Sequence, residues 1–371
     1  ELARLCEDMA HMHRRMGEMA KAFPWAEKAL LLAEKLNALE AVADSCNELA
    51  VLFAFTGDFK KGLEYANRAL KIALDNNYLE TALWAYHRVG SLLPAEEYEK
   101  RLEYLEKGLA LAKKLGDIGM QSGFLSLLAY EYVFRGKLAK AITFQEEALA
   151  LDKRAGNITY IPWDLIYLGF AYQVIGEWDK SEQYYSEALD AARDLNEWHQ
   201  IAEGYFYRGL LHFDKEEYAK ARESFEEALK ACEKAGTRTG QMWVSQFFIW
   251  NLIELGEIEK AIDLLDSLHK FALETEDRWF DASEKTLRAM LLRAQKKYEE
   301  SIELFEKTLQ EWESMKARIW NAYYFARWVL CEYACVFLER DQPGDREKAD
   351  KLLNQALEIF QKMDAKKDIE K

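Results

Sequence analysis

The chain has 371 residues, 50% of them hydrophobic, and only 4 prolines. A single globular core stops growing at roughly 250–300 residues, so this length excludes one compact core and favours several domains or a repeat array. The formal net charge of −15 removes the general attraction that basic proteins have for phosphate backbones and anionic lipids. The sequence also lacks a run of about 18 apolar residues, the length that predicts a membrane-spanning helix. We therefore expect neither nucleic acid nor membrane among its partners.

A short phrase repeats along the chain, which makes a repeat array the better of these two interpretations. It consists of a glycine or polar residue, then an acidic residue or lysine, then an apolar or aromatic residue. In chain order, the copies begin at Gly17, Gly57, Glu96, Gly136, Gly176, Glu216, Gly256 and Lys296. Successive copies are therefore 39 or 40 residues apart. A ninth unit begins at Gly344, after a longer interval of 48 residues.

An amphipathic helix is predicted on each side of every phrase. After Gly176, spacings of 4, 3 and 1 place four residues on one helical face: Ser181, Tyr185, Ala188 and Leu189. Before Gly176, a similar face is formed by Leu165, Leu168, Gly169 and Tyr172. Each unit therefore consists of a helix, a tight turn and a second helix. A glycine in that turn can adopt the left-handed conformation that ends a helix.

These positions resemble the tetratricopeptide repeat family. The family pattern is a large residue, Leu, Gly and Tyr before the turn, then Gly, a small residue, an aromatic residue and Ala. The fifth unit matches it with Leu165, Leu168, Gly169, Tyr172, Gly176, Ser181, Tyr185 and Ala188. The resemblance implies an all-α fold, a right-handed superhelical solenoid of about nine antiparallel helix pairs. It implies one domain over residues 1–371, with turns near 17, 57, 96, 136, 176, 216, 256, 296 and 344.

Two departures from the family pattern point to a long-repeat variant. The period is near 40 residues where the family has about 34, and links such as Leu115-Gly116-Asp117 replace the proline that closes the second helix. The variant resembles the repeats of kinesin light chains, of Leu-Gly-Asn adaptors and of the sensor arm of MalT-like signal-transduction ATPases. This resemblance implies that the chain is part of a larger signalling regulator. Its partner would be a protein or peptide, including the regulator's own ATPase domain.

In this family, the first helix of each pair lines a concave binding surface. Groove-facing residues occur at fixed intervals before each turn residue. Applying that register to this sequence selects ten candidate residues for ligand or partner binding: Tyr86, Tyr130, Trp163, Phe170, Gln173, Phe206, Trp243, Gln246, Trp250 and Arg293. Most are aromatic, and Tyr and Trp are favoured anchors of binding hot spots.

Two interpretations of these rings stay open at this point: they bind a partner, or they fill the axis of a tightly packed superhelix. If they bind, the alternative to a peptide is a small, sugar-like ligand, with rings stacked on sugar faces and hydrogen bonds from Gln173 and Gln246. A carboxylate clamp for chaperone tails is disfavoured, because only Asn47 and Arg293 carry suitable side chains at the groove positions.

No pattern in the sequence indicates catalysis, a cofactor or a metal site. Cys331 and Cys335 are four residues apart and could share a helix face, but no second Cys or His pair accompanies them. The group of Cys6, His11 and His13 is an equally weak metal motif. The five scattered cysteines are typical of reduced thiols in a cytoplasmic protein. We therefore expect a non-catalytic, cytoplasmic scaffold or sensor that binds a protein or peptide.

Overall fold

The computed structural model describes residues 2–15, 18–55, 58–94, 97–133, 135–275, 277–315, 325–362 and 365–369. These ranges contain helices and turns and no strand, which confirms the predicted all-α class. In chain order the helices are α1 (Leu2–Arg15), α2 (Met19–Lys35), α3 (Leu39–Phe55), α4 (Phe59–Asp75), α5 (Leu79–Leu92), α6 (Tyr98–Leu115), α7 (Ile118–Val133), α8 (Leu138–Ala155), α9 (Ile161–Val174), α10 (Trp178–Asp194), α11 (Trp198–Asp214), α12 (Tyr218–Ala235), α13 (Arg238–Glu254), α14 (Ile258–Thr275), α15 (Arg278–Ala294), α16 (Tyr298–Met315), the π-helical α17 (Phe325–Cys331), α18 (Glu332–Arg340), α19 (Asp345–Lys362) and α20 (Lys366–Ile369).

In the helix pairs whose turns lie within the described residues, the turn carries a residue in the left-handed conformation. Gly176 and Gly256 have φ angles of 85° and 72°, which glycine adopts without steric cost. Glu216 and Lys296 take the corresponding positions in their repeats and both have φ of 61°. The turn geometry is therefore kept where the glycine is absent. The predicted turns near 17, 57 and 96 lie outside the described residues.

A glycine before the turn and an aromatic ring after it lock the two helices of a pair together. A Cβ atom on Gly169 of α9 would lie 2.5 Å from the ring of Tyr185 on α10. A Cβ atom on Gly209 of α11 would lie 2.7 Å from the ring of Phe225 on α12. Both rings are fully buried. The close contact between these two residues therefore explains why the repeat has a small residue at one position and an aromatic residue at the other.

The helices form two compact units. Unit 1 comprises the chain up to Leu128 together with Ala150–Ala155, and unit 2 comprises Ala129–Leu149 and the residues from Gly156 onward. In unit 1, α1 to α6 pack consecutively, and the first helices α1, α3 and α5 also touch in turn. In unit 2, α9 to α16 pack consecutively, and α9, α11, α13 and α15 touch in the same way. Such packing of each helix on its neighbours is that of a helical solenoid. One continuous domain over 1–371 stays a prediction.

None of the described helices is both long enough and apolar enough to cross a membrane.

Candidate functional site

The ten predicted groove residues fall into two groups. Six side chains are buried by the protein itself: Phe170, Gln173, Phe206, Gln246, Trp250 and Arg293. Four are half-buried and keep part of their ring surface in solvent: Tyr86, Tyr130, Trp163 and Trp243. Tyr86 lies in unit 1 and the other nine lie in unit 2. A role in binding stays a prediction for all ten, and the half-buried rings are the ones that a ligand can reach without rearrangement.

A closed cluster of five rings explains why Trp250 is buried. Trp328 of α17 is completely buried, and its ring lies 4.9 Å from that of Phe247 and 6.0 Å from that of Trp250, centroid to centroid. Trp279 and Trp312 complete the cluster at 6.3 Å and 6.4 Å from Trp328. Four of the five rings are buried and Trp279 is half-buried, so in this part of unit 2 most of the rings fill the interior, as the packing interpretation expects.

The buried Gln173 takes part in a polar network beside the closed cluster. Its Nε2 donates to Oδ2 of Asp214 at 2.6 Å, and its Oε1 accepts from the hydroxyl of Tyr185 at 2.8 Å. Asp214 in turn forms an ion pair with Arg327 of α17. The guanidinium of Arg327 lies over the ring of Trp250, 5.1 Å from its centroid. Both ends of the Gln173 amide are therefore already engaged.

Two other predicted polar residues are also engaged by the protein. Gln246 accepts a 3.1 Å hydrogen bond from the indole Nε1 of Trp279. Arg293 forms a 2.8 Å ion pair with Glu332, and burial raises the pKa of that carboxyl to about 7 although Arg293 opposes the shift. These partners fix both side chains inside unit 2.

An open cluster of three half-buried rings is formed by Tyr130, Trp163 and Tyr167. Trp163 and Tyr167 lie one turn apart on α9, and their rings stack with centroids 6.1 Å apart and planes 26° apart. Tyr130, near the end of α7, meets Tyr167 edge-on at 6.0 Å and 70°. The groove register missed Tyr167 because it selects the preceding position, Ile166. Its spacing of four from Trp163 on a helix is the signal that finds it.

Glu203 of α11 lies within electrostatic range of the open cluster. Burial, and after it the charge of Glu203, raises the pKa of the Tyr167 hydroxyl. Oε2 of Glu203 is closed off from solvent and has no hydrogen-bond partner in the described part of the chain. Burial alone raises the pKa of Glu203 from its ordinary 4.5 to about 8. The groove register reaches this position, but a selection based on aromatic rings passes over it.

The remaining predicted rings lie outside the open cluster. Trp243 stacks on the half-buried Trp279, with centroids 5.5 Å and planes 27° apart. In unit 1, Tyr86 lies 6.1 Å from the ring of Tyr104.

The cysteine and histidine side chains of the two weak metal motifs have environments that account for them without a metal ion. Burial raises the pKa of Cys331 to about 12 and that of Cys335 to about 11, so both stay protonated at neutral pH. His13 Nδ1 lies 2.7 Å from Oε2 of Glu18, within hydrogen-bond distance. Among the described residues, no group of three or more His, Cys, Asp and Glu side chains is placed to hold a metal ion.

A polar cleft of about 430 Å³ lies between α10, α11 and α12. Several of its charged side chains pair with one another: Arg208 with Glu182 at 2.8 Å, and His212 with Glu217 at 2.9 Å. The cleft therefore presents a balanced set of charges and favours no single class of ligand.

Family models place these features in a known group of proteins. Models described as tetratricopeptide repeat match residues 1–75, 123–154, 164–234 and 288–315, together more than half of the chain. The chain belongs to the tetratricopeptide repeat family. The predicted family resemblance is thereby confirmed. A search of the curated proteins finds no significant match.

Solved structures with the same tetratricopeptide fold include several regulators. NprR in complex with its cognate peptide NprX is 16% identical, with a TM-score of 0.61 and coverage of 97% of this chain and 100% of that one. Aspartyl phosphate phosphatase F from Bacillus subtilis is 13% identical, with a TM-score of 0.62 and coverage of 97% and 94%. A signal-transduction ATPase with a tetratricopeptide repeat sensor from Pyrococcus horikoshii is 16% identical, with a TM-score of 0.56 and coverage of 78% and 44%. At these identities the likeness shows the fold alone.

In tetratricopeptide terms, the open cluster and Glu203 all come from first helices of successive repeats, α7, α9 and α11. The family uses this side of its repeats for binding. Further along unit 2, the closed cluster combines rings from the first helices α13 and α15 with Trp312 of α16 and Trp328 of α17.

Proposed function

We propose that this chain is a non-catalytic scaffold that binds a peptide at the open cluster and acts as the sensor part of a signalling regulator. The observation that carries the proposal is the half-buried state of Tyr130, Trp163 and Tyr167 on adjacent first helices. Aromatic rings kept partly in water are costly unless a partner covers them, and Tyr and Trp dominate binding hot spots. Burying these rings against an apolar side chain would supply the affinity.

A peptide fits this surface better than a sugar. The sugar alternative requires hydrogen bonds from Gln173 and Gln246, and both amides already have partners inside unit 2. A peptide needs apolar and cationic contacts here, which ring faces can provide. That NprR, a protein of the same fold, is found in complex with a peptide is compatible with this choice.

The cellular context is a finer part of the same proposal. We place the chain in the cytoplasm as part of a multidomain regulator of the ATPase type. The long-repeat resemblance supports this context, as does a fold shared with the tetratricopeptide sensor of a signal-transduction ATPase. In such a protein, peptide binding would change the contact between the sensor and the ATPase domain.

The test begins with selection of peptides from a random phage-displayed library on the immobilised wild-type protein. We expect the selected peptides to bind Trp163→Ala at least about 10-fold more weakly, since truncating a hot-spot ring commonly costs 2 kcal/mol or more. Trp84→Ala is the matched control, because Trp84 is 45% exposed and lies in unit 1. Equal affinity for Trp163→Ala and wild type would reject the site, and a library that yields no binder would reject the function.

The catalytic alternative has a direct test, because one solved structure with this fold is named an aspartyl phosphate phosphatase. We expect purified protein to hydrolyse neither acetyl phosphate nor p-nitrophenyl phosphate above the buffer rate. Turnover that scales with protein concentration and survives repeated purification would contradict a purely binding role.

A further inference from the structure

Unit 2 repeatedly combines an arginine, an aromatic ring and a carboxylate. Arg327 lies 5.1 Å above the ring of Trp250 and pairs with Asp214. A planar guanidinium is suited to this arrangement, because it stacks on a ring face and still directs N–H groups at a carboxylate. Two further examples are Arg238 with Phe271 and Glu274, and Arg340 with Phe337 and Asp345.

The open cluster has two of these three components. Trp163 and Tyr167 provide stacked, half-buried rings, and Glu203 provides a carboxyl group in electrostatic range of Tyr167. Oε2 of Glu203 is enclosed, and no described side chain donates to it. A carboxylate oxygen that is enclosed and has no donor is costly, and a bound cation would remove that cost.

The electrostatics of Glu203 favour a cation as its partner. Its pKa is raised to about 8 by burial, and no positive charge of the described chain offsets the shift. By contrast, Asp345, which Arg340 contacts, has its pKa lowered to about 2, first by the hydrogen bond from that guanidinium. For Glu332 the charge of Arg293 opposes the effect of burial, and no such opposing charge from the described residues acts on Glu203.

We propose that the open cluster and Glu203 form a subsite for an arginine side chain of the bound peptide, whose guanidinium stacks on Trp163 or Tyr167 and pairs with Glu203. The inference rests on the proposed peptide-binding function and specifies the chemistry of its ligand. Arginine is preferred to lysine because the subsite combines ring faces with a carboxylate. A planar guanidinium can stack on a ring face and donate to a carboxylate at the same time, whereas a compact ammonium group cannot stack.

The experiment uses the peptides selected on the wild-type protein. Each peptide is resynthesised with arginine, lysine or citrulline at the position where arginine is enriched; citrulline is a neutral analogue of nearly the same shape. Each version is made with a free and with an acetylated N-terminus. Affinities are measured by fluorescence anisotropy on wild type, on Glu203→Gln and on the control Glu187→Gln. Glu187 is an exposed carboxylate on α10. Circular dichroism and melting temperature confirm that each variant is folded.

We expect citrulline to weaken binding about 10-fold or more on wild type and on Glu187→Gln, because the charge-assisted pair is lost. On Glu203→Gln the same replacement should change the affinity less than about 2-fold, because the carboxylate is already absent. Lysine should bind more weakly than arginine on wild type.

Four results would overturn the subsite. If the selected peptides bind through Trp163 but show no enriched arginine, the subsite is rejected and the proposed function stands. The same holds if replacing arginine by citrulline weakens binding equally on wild type and on Glu203→Gln. If acetylating the peptide N-terminus abolishes binding and replacing arginine by citrulline does not, the partner of Glu203 is the N-terminal ammonium group of the peptide. A library without any binder would reject the proposed function and the subsite together.

Discussion

Replacing Glu203 by glutamine should stabilise the protein, and the gain should depend on pH. The folded-state pKa of about 8 lies above the ordinary value of 4.5, so the folded protein holds this proton more tightly than the unfolded chain does. Below pH 4.5 both states are protonated and the group has no effect on stability. Between pH 4.5 and about 8 the unfolded chain has released this proton and the folded protein still holds it, so rising pH increasingly favours the unfolded chain. Above about pH 8 both states have lost the proton and the effect stays constant.

The magnitude follows from the size of the shift. One pKa unit corresponds to about 1.4 kcal/mol, so a rise from 4.5 to about 8 sets an upper limit of about 5 kcal/mol, reached above pH 8. Entry of water on ionisation lowers this value, and we expect roughly 2–3 kcal/mol. The titratable groups coupled to Glu203 are Tyr167 on α9 and Cys232 on α12. Burial raises the pKa of both, that of Cys232 to about 11, so neither loses its proton in this range.

The assay is calorimetric unfolding of wild type and Glu203→Gln at pH 4, 7 and 9. The two melting temperatures should agree at pH 4 and differ by several degrees at pH 9, with the glutamine variant the more stable. Glu187→Gln controls for the loss of one negative charge at an exposed position. A difference in melting temperature that is the same at all three pH values would refute the reasoning, because glutamine would then act through packing.

Two further predictions concern the fold. Trp328→Ala should lower the free energy of unfolding by about 3–5 kcal/mol, because it leaves a cavity among the four rings around Trp328. Trp84→Ala should lower it by only about 1 kcal/mol, because that ring is 45% exposed and mainly loses its contact with Arg88. Urea denaturation followed by circular dichroism measures both, and equal losses would contradict the closed cluster. Lys296→Gly should raise the melting temperature, since φ at Lys296 is 61° and glycine removes a strain of about 1 kcal/mol; an unchanged or lower value would contradict a strained turn.

The repeat register predicted most of the local structure. Turn residues could be located because a period of 39 or 40 residues holds through eight copies, including those that begin with Glu216 and Lys296. The contact between Gly169 and Tyr185 was also predictable, because a small residue and a ring recur at fixed offsets from the turn. Periodicity identifies these features since each depends on residues within one repeat.

The sequence by itself determined the all-α class, the family and the helices that carry the aromatic rings. Only the tertiary structure decided which rings are covered. Trp250 and Tyr130 both lie six residues before the turn glycine of their repeat, yet α17 contacts the first, which is buried, and the second is half-buried. The pair between Asp214 and Arg327 spans 113 residues, and no local pattern encodes it. A helical period shows which face a side chain is on, whereas burial depends on what packs against that face from elsewhere in the chain.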